Sequence, residues 1–213
     1  WQQEYFRNRT IMAVDLYKKI TTTYGSKSLM ELNVYNEYKN KFNFWITNIS
    51  ADLKNYSGTS CAGYCNHFSL RTSQCQNLSN KYVQIICKKT CGGYTYSKTN
   101  AYIDFYKIPG VSNHEMQHQI GNLADEYNTS TGSDKPKYPN CADSVAQAFE
   151  WWGDLMNQTK EGLKVGLYYG CNYQSTNIRP TSTSIMKYST ETRLGLVNER
   201  HINMTIKGIL GLI

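Results

Sequence analysis

The spacing of apolar and polar positions predicts both helices and strands in the first half of the chain. Residues 10–22 and 27–42 carry apolar side chains at helical spacing, which predicts two short helices. The segments 42–50 and 101–108 are rich in aromatic and β-branched residues and predict strands, the second of which ends at a Pro-Gly pair.

The second half of the chain is predicted to be mostly helical. A helix is predicted to begin at His114, with Ser112 or Asn113 as its N-cap. Residues 143–164 form an amphipathic segment that is interrupted by a glycine, and 190–213 predict a closing helix. Together these elements predict an α+β fold.

The segment 55–100 is polar, rich in cysteine and without clear periodicity, and we interpret it as a disulfide-tied insertion. Seven cysteines in 213 residues indicate an oxidising compartment, so the protein is expected to be secreted, either extracellular or periplasmic. A structural zinc site made by the pairs Cys61/Cys65 and Cys87/Cys91 is the alternative, although their three-residue gaps are wider than in the usual CxxC motif.

Composition excludes two classes of protein. The chain has no run of about 18 apolar residues, so no membrane span is predicted. The net charge is +7, but no dense block of Lys and Arg with interleaved aromatic residues is present, which argues against nucleic-acid binding. With 40% hydrophobic residues, the chain is expected to fold around a sizeable core.

The strongest chemical signal is the HExxH sequence at 114–118. Residues four apart on a helix lie on one face, so His114 and His118 can both reach one metal ion. Zinc prefers tetrahedral nitrogen and oxygen ligands. Glu115 follows the first ligand and can face a zinc-activated water as the general base. An exposed helix that carries these residues by chance is the alternative.

Two acidic residues after the motif, Asp125 and Glu126, are candidates for the third ligand. If the helix continued, Asp125 would lie about 10 Å further along the axis, out of reach of the ion. The chain must therefore turn back, and Gly121-Asn122 can end the helix because the left-handed conformation is cheap for Gly and tolerable for Asn. We predict Asp125 as the ligand, with Glu126, or a solvated acidic pair that binds no metal, as alternatives.

Residues 184–188 resemble a Met-turn, in which a methionine lies beneath the zinc-binding histidines as a hydrophobic floor without ligating the metal. Met186 would be that methionine. Tyr188 matches the pattern of the astacins and serralysins, where a phenol helps to hold the oxyanion. An ordinary core methionine and a half-buried tyrosine are the alternatives.

Together these residues resemble the immunoglobulin-A-peptidase family of metzincin zinc peptidases, whose signature is HExGHxxxxLADEY. The match runs from 114 to 127, and weaker agreement occurs at 35–50, within 161–186 and at 197–200. Gln117 stands where the family usually has Gly. The Cys-rich insertion is not a general feature of the family.

The resemblance implies an α+β, zincin-like fold with a metzincin-type mixed sheet, a catalytic helix, a Met-turn and a C-terminal helix. It implies one catalytic domain, 1–213, with an upper lobe of about 1–121 that carries the insertion and a lower lobe of about 122–213. Cys141 and Cys171 flank the segment between the helix and the Met-turn, and we predict that they pair and brace the cleft wall.

The expected function is that of a secreted zinc-dependent metalloendopeptidase, with Zn²⁺ held by His114, His118 and Asp125 and with Glu115 as general base. Its partners would be protein or peptide substrates, such as a host or other extracellular glycoprotein, lying extended along an edge strand within 101–108. The alternative is a non-catalytic secreted binding protein or adhesin that carries zinc on a peptidase scaffold.

Overall fold

A computed structural model of the protein describes residues 29–42, 83–87, 93–97, 100–104, 108–128 and 138–213. The helix predicted at 10–22, most of the strand predicted at 42–50 and most of the segment 55–100 lie outside the described residues. The cysteines outside them are Cys61, Cys65, Cys75 and Cys91.

Short helices and strands alternate along the described parts of the chain. In chain order, the helices are α1 (Asn33–Asn36), α2 (Gly110–Gly121), α3 (Val145–Trp152) and α4 (Leu196–Ile209), with 3-10 turns at Leu29–Glu31, Lys39–Lys41 and Gly153–Leu155. The strands are β1 (Val83–Cys87), β2 (Gly93–Ser97), β3 (Asn100–Asp104), β4 (Thr159–Lys160), β5 (Leu163–Lys164), β6 (Tyr168–Cys171) and β7 (Gln174–Arg179). This mixture confirms the α+β class. None of these helices has the length and apolar character needed to cross a membrane.

The described sheet nearest to α2 has the order β1-β3-β2. β3 pairs in parallel with β1 and antiparallel with β2. The prediction of a strand within 101–108 is confirmed for 101–104, but the prediction that this strand is an edge is wrong, because β3 lies between two partners. Both partners come from 83–97, inside the segment interpreted as an insertion without periodicity, although β1 is rich in β-branched residues and β2 alternates tyrosine with polar residues.

Two antiparallel hairpins follow α3. The prediction of one interrupted amphipathic segment over 143–164 is correct for its first half only: α3 ends at Trp152, and β4 and β5 form a hairpin. Glu161 and Gly162 make its turn with φ of 49° and 77°, values that no helix accommodates. The second hairpin, β6-β7, was not predicted from the sequence.

The main core lies where α2 and α4 meet. Ile120 of α2, and Ile202 and Ile206 of α4, are buried in the same cluster as Met186. A Cβ atom at Gly121 would lie 2.9 Å from the Ile202 side chain, so the glycine allows the two helices to approach closely. The closing helix, predicted over 190–213, is confirmed for Leu196–Ile209, and it packs against the helix that carries the HExxH sequence.

Candidate metal centre

The helix that carries the HExxH sequence begins at Gly110, four residues before the predicted start. Neither predicted N-cap residue caps it: Ser112 and Asn113 are buried inside the helix, and the Asn113 N–H donates to Pro109 O at 2.8 Å. The Pro-Gly pair that ends the preceding strand region thus also starts the helix. His114 therefore lies beyond the first helical turn, the part of a helix that frays most readily.

The helix ends at the predicted place. Asn122 adopts the left-handed conformation with φ 48°, and the Leu123 N–H donates back to Gln117 O. This is the turn expected when a residue other than glycine caps a helix C-terminus. The chain reverses here and returns Asp125 to the face of the helix that carries the two histidines.

Three side-chain atoms converge on one point beside the helix. Asp125 Oδ1 lies 3.0 Å from His114 Nε2 and 3.3 Å from His118 Nε2, and the two Nε2 atoms are 3.2 Å apart. All three residues are mostly buried. In the described parts of the chain, these are the residues grouped so that they could hold a metal ion.

Hydrogen bonds to main-chain carbonyls fix the orientation of both imidazole rings. His114 Nδ1 lies 2.7 Å from Ile185 O, and His118 Nδ1 lies 2.6 Å from Leu123 O. A carbonyl oxygen only accepts, so each Nδ1 carries a proton, and Nε2 is the ring nitrogen that faces Asp125. When neither Nε2 carries a proton, the two nitrogens and the carboxylate oxygen are three acceptors within 3.3 Å of one another, and they repel unless a cation lies between them.

The spacing of these atoms fits a tetrahedral cation. Zinc with ligands at about 2.0–2.1 Å holds neighbouring ligand atoms about 3.3–3.4 Å apart, close to the 3.0–3.3 Å found here. Main-chain hydrogen bonds to the far nitrogen are also the usual support of histidine ligands. The group therefore fits a metal ion, and three protein ligands leave one tetrahedral position for another ligand.

The pKa shifts of His114 and Asp125 also indicate that positive charge is favoured between these side chains. Burial alone would lower the pKa of His114, but its hydrogen bond with Asp125 and the nearby carboxylate charges raise it. Burial would raise the pKa of Asp125, but hydrogen bonds and charges from the two histidines hold it well below its usual range. The aspartate is therefore ionised and able to act as a ligand.

Glu115 lies beside the group and is 4% exposed. Burial raises the pKa of its carboxyl group. The charges of His114 and His118 and a hydrogen bond from Thr95 lower the pKa, but by less. The Thr95 hydroxyl, on β2, donates to Glu115 Oε2 at 2.5 Å. The sheet thus holds one carboxylate oxygen of the predicted general base, and burial makes that carboxylate a better proton acceptor.

Glu126 points away from the histidines into a fully buried polar network. Its Oε1 accepts hydrogen bonds from Asn140 Nδ2 at 3.1 Å and Asn198 Nδ2 at 2.8 Å, and its Oε2 accepts one from Ser184 Oγ at 2.6 Å. The Glu126 N–H also donates to Met186 O. Of the two acidic candidates, Asp125 therefore faces the histidines, and Glu126 joins the metal-site segment to the Met-turn and α4. The sequence could not distinguish them.

Residues 184–188 form a tight turn, in which the N–H groups of Lys187 and Tyr188 both donate to Ser184 O. Met186 is fully buried, and the carbonyl of its neighbour Ile185 holds His114. Tyr188 is 55% exposed, and among the described contacts its ring lies beside Lys187 rather than at the histidines. Its predicted role stays a prediction.

A second tyrosine, Tyr173, contacts the group formed by His114, His118 and Asp125. The Tyr173 hydroxyl donates to Asp125 Oδ2, and Tyr127 packs edge-on against the Tyr173 ring. Burial, followed by the Asp125 charge, raises the pKa of both phenols, so each stays protonated and able to donate. Tyr173 could not be predicted from the sequence, because no spacing rule connects it to the motif 46 or more residues earlier.

The predicted disulfide between Cys141 and Cys171 is confirmed, with Cα atoms 5.6 Å apart. The two sulfur atoms lie 3.9 and 3.7 Å from Asp125 O. The disulfide therefore joins the end of β6 to Cys141 and lies beside the main chain that presents the aspartate.

Gln117, the departure from the family signature, is accommodated by α1. It is fully buried, its amide donates to Asn113 O at 2.6 Å, and its carbonyl oxygen accepts from the Tyr35 hydroxyl at 2.7 Å. Both ends of the side chain are satisfied on the side of α2 that meets α1. The larger residue therefore leaves the histidine group intact.

Comparison with known proteins assigns no family: no model of a protein family matches the chain, and no curated protein matches it significantly.

Proposed function

We propose that the protein is a secreted zinc-dependent metalloendopeptidase of metzincin type, related to the immunoglobulin-A peptidases. The observation that carries this proposal is the convergence of two Nε2 atoms and one carboxylate oxygen within 3.3 Å, directly beside the buried carboxylate of Glu115. The supporting features are the left-handed end of α2, the return of Asp125 and the Met-turn carbonyl that holds His114.

The zinc ion would be held by His114, His118 and Asp125. When bound, zinc acidifies a water ligand and polarises a carbonyl oxygen, which is the chemistry that peptide hydrolysis needs. The residues keep the ligand atoms aligned before the ion arrives, because each imidazole is already fixed by a main-chain carbonyl.

Glu115 accepts and returns the proton in this proposal. Its raised pKa moves the carboxylate closer to the range in which a general base works at neutral pH. Thr95 holds Oε2, so Oε1 is the oxygen that takes a proton from water and delivers it to the departing amine. A base adjacent in sequence to a ligand is required to stay close to the reacting water throughout.

The competing function is a zinc-containing binding protein or adhesin. A structural zinc site is usually closed by four protein ligands, whereas three potential ligands are grouped in the described residues. A purely structural site also has no use for a buried carboxylate beside the ligands, and burying Glu115 carries a desolvation cost. Both points favour the peptidase.

The test compares the wild type with Glu115→Gln, which keeps the size of the side chain and removes its basicity. Glu150→Gln is the matched control, because Glu150 lies exposed on α3. Each protein is assayed for zinc content by mass spectrometry and for cleavage of an unbiased peptide library. We expect about one zinc in each protein, and cleavage by the wild type and the control only.

Retained cleavage by Glu115→Gln would refute the general-base role. Equal zinc with no cleavage by any of the three proteins would favour the binding protein. Absence of zinc from a wild type that has been incubated with zinc would refute the metal site itself.

A further inference from the structure

The two-residue turn between β6 and β7 has an unusual sequence for its conformation. Cys171 pairs with Gln174, so Asn172 and Tyr173 are the central residues, and their φ angles are 51° and 65°. A hairpin turn with two positive φ angles strongly prefers Asn-Gly. A bulky residue such as Tyr is strained there, and strain of this kind persists where the surrounding structure makes use of it.

The turn is fixed against the segment that carries the metal-facing aspartate. The Asn172 N–H donates to Asp125 O at 2.7 Å, and the Tyr173 N–H donates to Tyr127 O at 3.1 Å. The Cys141–Cys171 disulfide lies next to the same aspartate carbonyl. Tyr173 is thus presented to Asp125 by two main-chain hydrogen bonds, and the preceding residue of the hairpin is fixed by the disulfide.

The two carboxylate oxygens of Asp125 have different partners. Oδ1 faces both Nε2 atoms, at 3.0 Å from His114 and 3.3 Å from His118. Oδ2 accepts the hydrogen bond from the Tyr173 hydroxyl. The Tyr127 ring packs edge-on against the Tyr173 ring with centroids 5.2 Å apart and limits the movement of the phenol.

We propose that Tyr173 is a positioning residue that reserves Asp125 Oδ2, so that the aspartate offers a single oxygen to the metal ion. This inference rests on the proposed metal site. A carboxylate can bind a cation with one oxygen or with two, and a second oxygen would occupy the position that a water or substrate needs. Tyr173 therefore protects the open position of the centre as well as the orientation of the ligand.

The strained turn follows from this role. The main chain of the β6-β7 turn contacts Asp125, so a tyrosine in the turn reaches Oδ2 directly. A glycine at the same position would relax the backbone but would leave Oδ2 without the phenol. Hydrogen bonds to ligating carboxylates typically change metal affinity by about 10- to 100-fold.

The experiment uses Co²⁺ as the probe, on the full chain stripped of metal by a chelator. Wild type, Tyr173→Phe and Tyr169→Phe are titrated with Co²⁺ against a competing chelator, and their visible spectra are recorded at saturation. Tyr169 is the matched control, because it lies on the same hairpin and is 63% exposed. Tetrahedral Co²⁺ absorbs more strongly than Co²⁺ with five or six ligands, so the spectrum reports coordination directly.

We expect Tyr173→Phe to bind Co²⁺ about 10- to 100-fold more weakly and with a weaker visible absorption, while Tyr169→Phe matches the wild type. Unchanged affinity and spectrum in Tyr173→Phe would overturn the inference and leave the metal site intact. Weaker binding with an unchanged spectrum would also overturn it, because the aspartate would then bind through the same number of oxygens. A wild type that binds no Co²⁺ would refute both the metal site and the inference.

A second variant guards against a folding defect. Tyr173→Gly gives the turn the Asn-Gly sequence that its φ angles favour, so the hairpin is expected to form. Circular dichroism confirms folding of each metal-free variant before titration. The same loss of affinity and absorption in the glycine variant supports the role of the hydroxyl, and wild-type behaviour of that variant would overturn it.

Discussion

Substitution of Glu126 tests whether this residue is a structural anchor rather than a metal ligand. The fully buried carboxylate accepts hydrogen bonds from Asn140, Asn198 and Ser184. Glu126→Gln keeps an oxygen in the Oε1 position for the two amides, and the Ser184 hydroxyl can rotate to accept from the new amide. All three contacts then survive without the charge.

The expected cost follows from the hydrogen bonds. A bond to a charged group contributes about 1.5–3 kcal/mol and a neutral one about 0.5–1.5 kcal/mol, so each contact loses about 1 kcal/mol. An amide is cheaper to bury than a carboxylate, which offsets part of this loss. We expect Glu126→Gln to lower the free energy of unfolding by about 1–2 kcal/mol. Glu126→Ala leaves a cavity and buried donors without an acceptor, and we expect it to cost about 3–5 kcal/mol.

Urea unfolding of the metal-free proteins measures these costs, because a bound metal would add its own binding energy to the stability. Glu150→Gln, on the exposed face of α3, should stay within about 0.5 kcal/mol of the wild type. A parallel Co²⁺ titration should show near wild-type affinity for Glu126→Gln and a large loss for Asp125→Asn. Full stability of Glu126→Gln combined with loss of Co²⁺ binding would refute the assignment, because Glu126 would then act as the ligand.

Three further predictions concern other parts of the fold. The double substitution Cys141→Ser/Cys171→Ser removes a disulfide that closes a loop with a sequence separation of 30. It should lower the free energy of unfolding, measured in urea, by about 3–4 kcal/mol. An unchanged free energy of unfolding would mean that the disulfide does not restrict the unfolded chain. Gly110→Ala should cost about 1–3 kcal/mol in the same assay, because the new Cβ would lie 2.3 Å from Ser189 O. Burial, and then a neighbouring guanidinium, lowers the pKa of His201, so its contribution is present above pH 6.5 and is lost as the pH falls through the folded-state pKa. His201→Gln should flatten the fall in thermal stability between pH 7 and pH 5, and an unchanged pH profile would contradict this.

Local sequence rules predicted the parts of the site that depend on local geometry. The i, i+4 spacing of His114 and His118 places both on one face of α2, and the need to bring Asp125 back predicted the break at Gly121-Asn122. Each inference uses only helix geometry and the conformational preferences of one or two residues. The closing helix was predicted for the same reason, since its apolar spacing continues over several turns.

Features that depend on distant contacts were missed. β1 and β2 are short strands inside a segment that is polar as a whole, so their own strand-like sequences were overlooked; in the structure each of them pairs with β3. The helix start was misplaced because the prediction relied on side-chain N-caps, whereas the helix begins after Pro109 without a side-chain cap and buries Ser112 and Asn113. Tyr173 reaches Asp125 from a turn with a positive φ angle, a conformation for which a tyrosine would not be expected from sequence.

The metal group is assembled by contacts that the short motif does not contain. Ile185 O orients His114 across 71 residues, and the Tyr173 hydroxyl holds Asp125 across 48. Glu126 ties the same short segment to α4 through Asn198, 72 residues away. The HExxH sequence therefore supplies two of the candidate ligands, whereas contacts from residues 122–213 orient them and supply the third. A substitution there that removes one of these contacts, unlike Glu126→Gln, which keeps all of its hydrogen bonds, should weaken metal binding without touching a ligand.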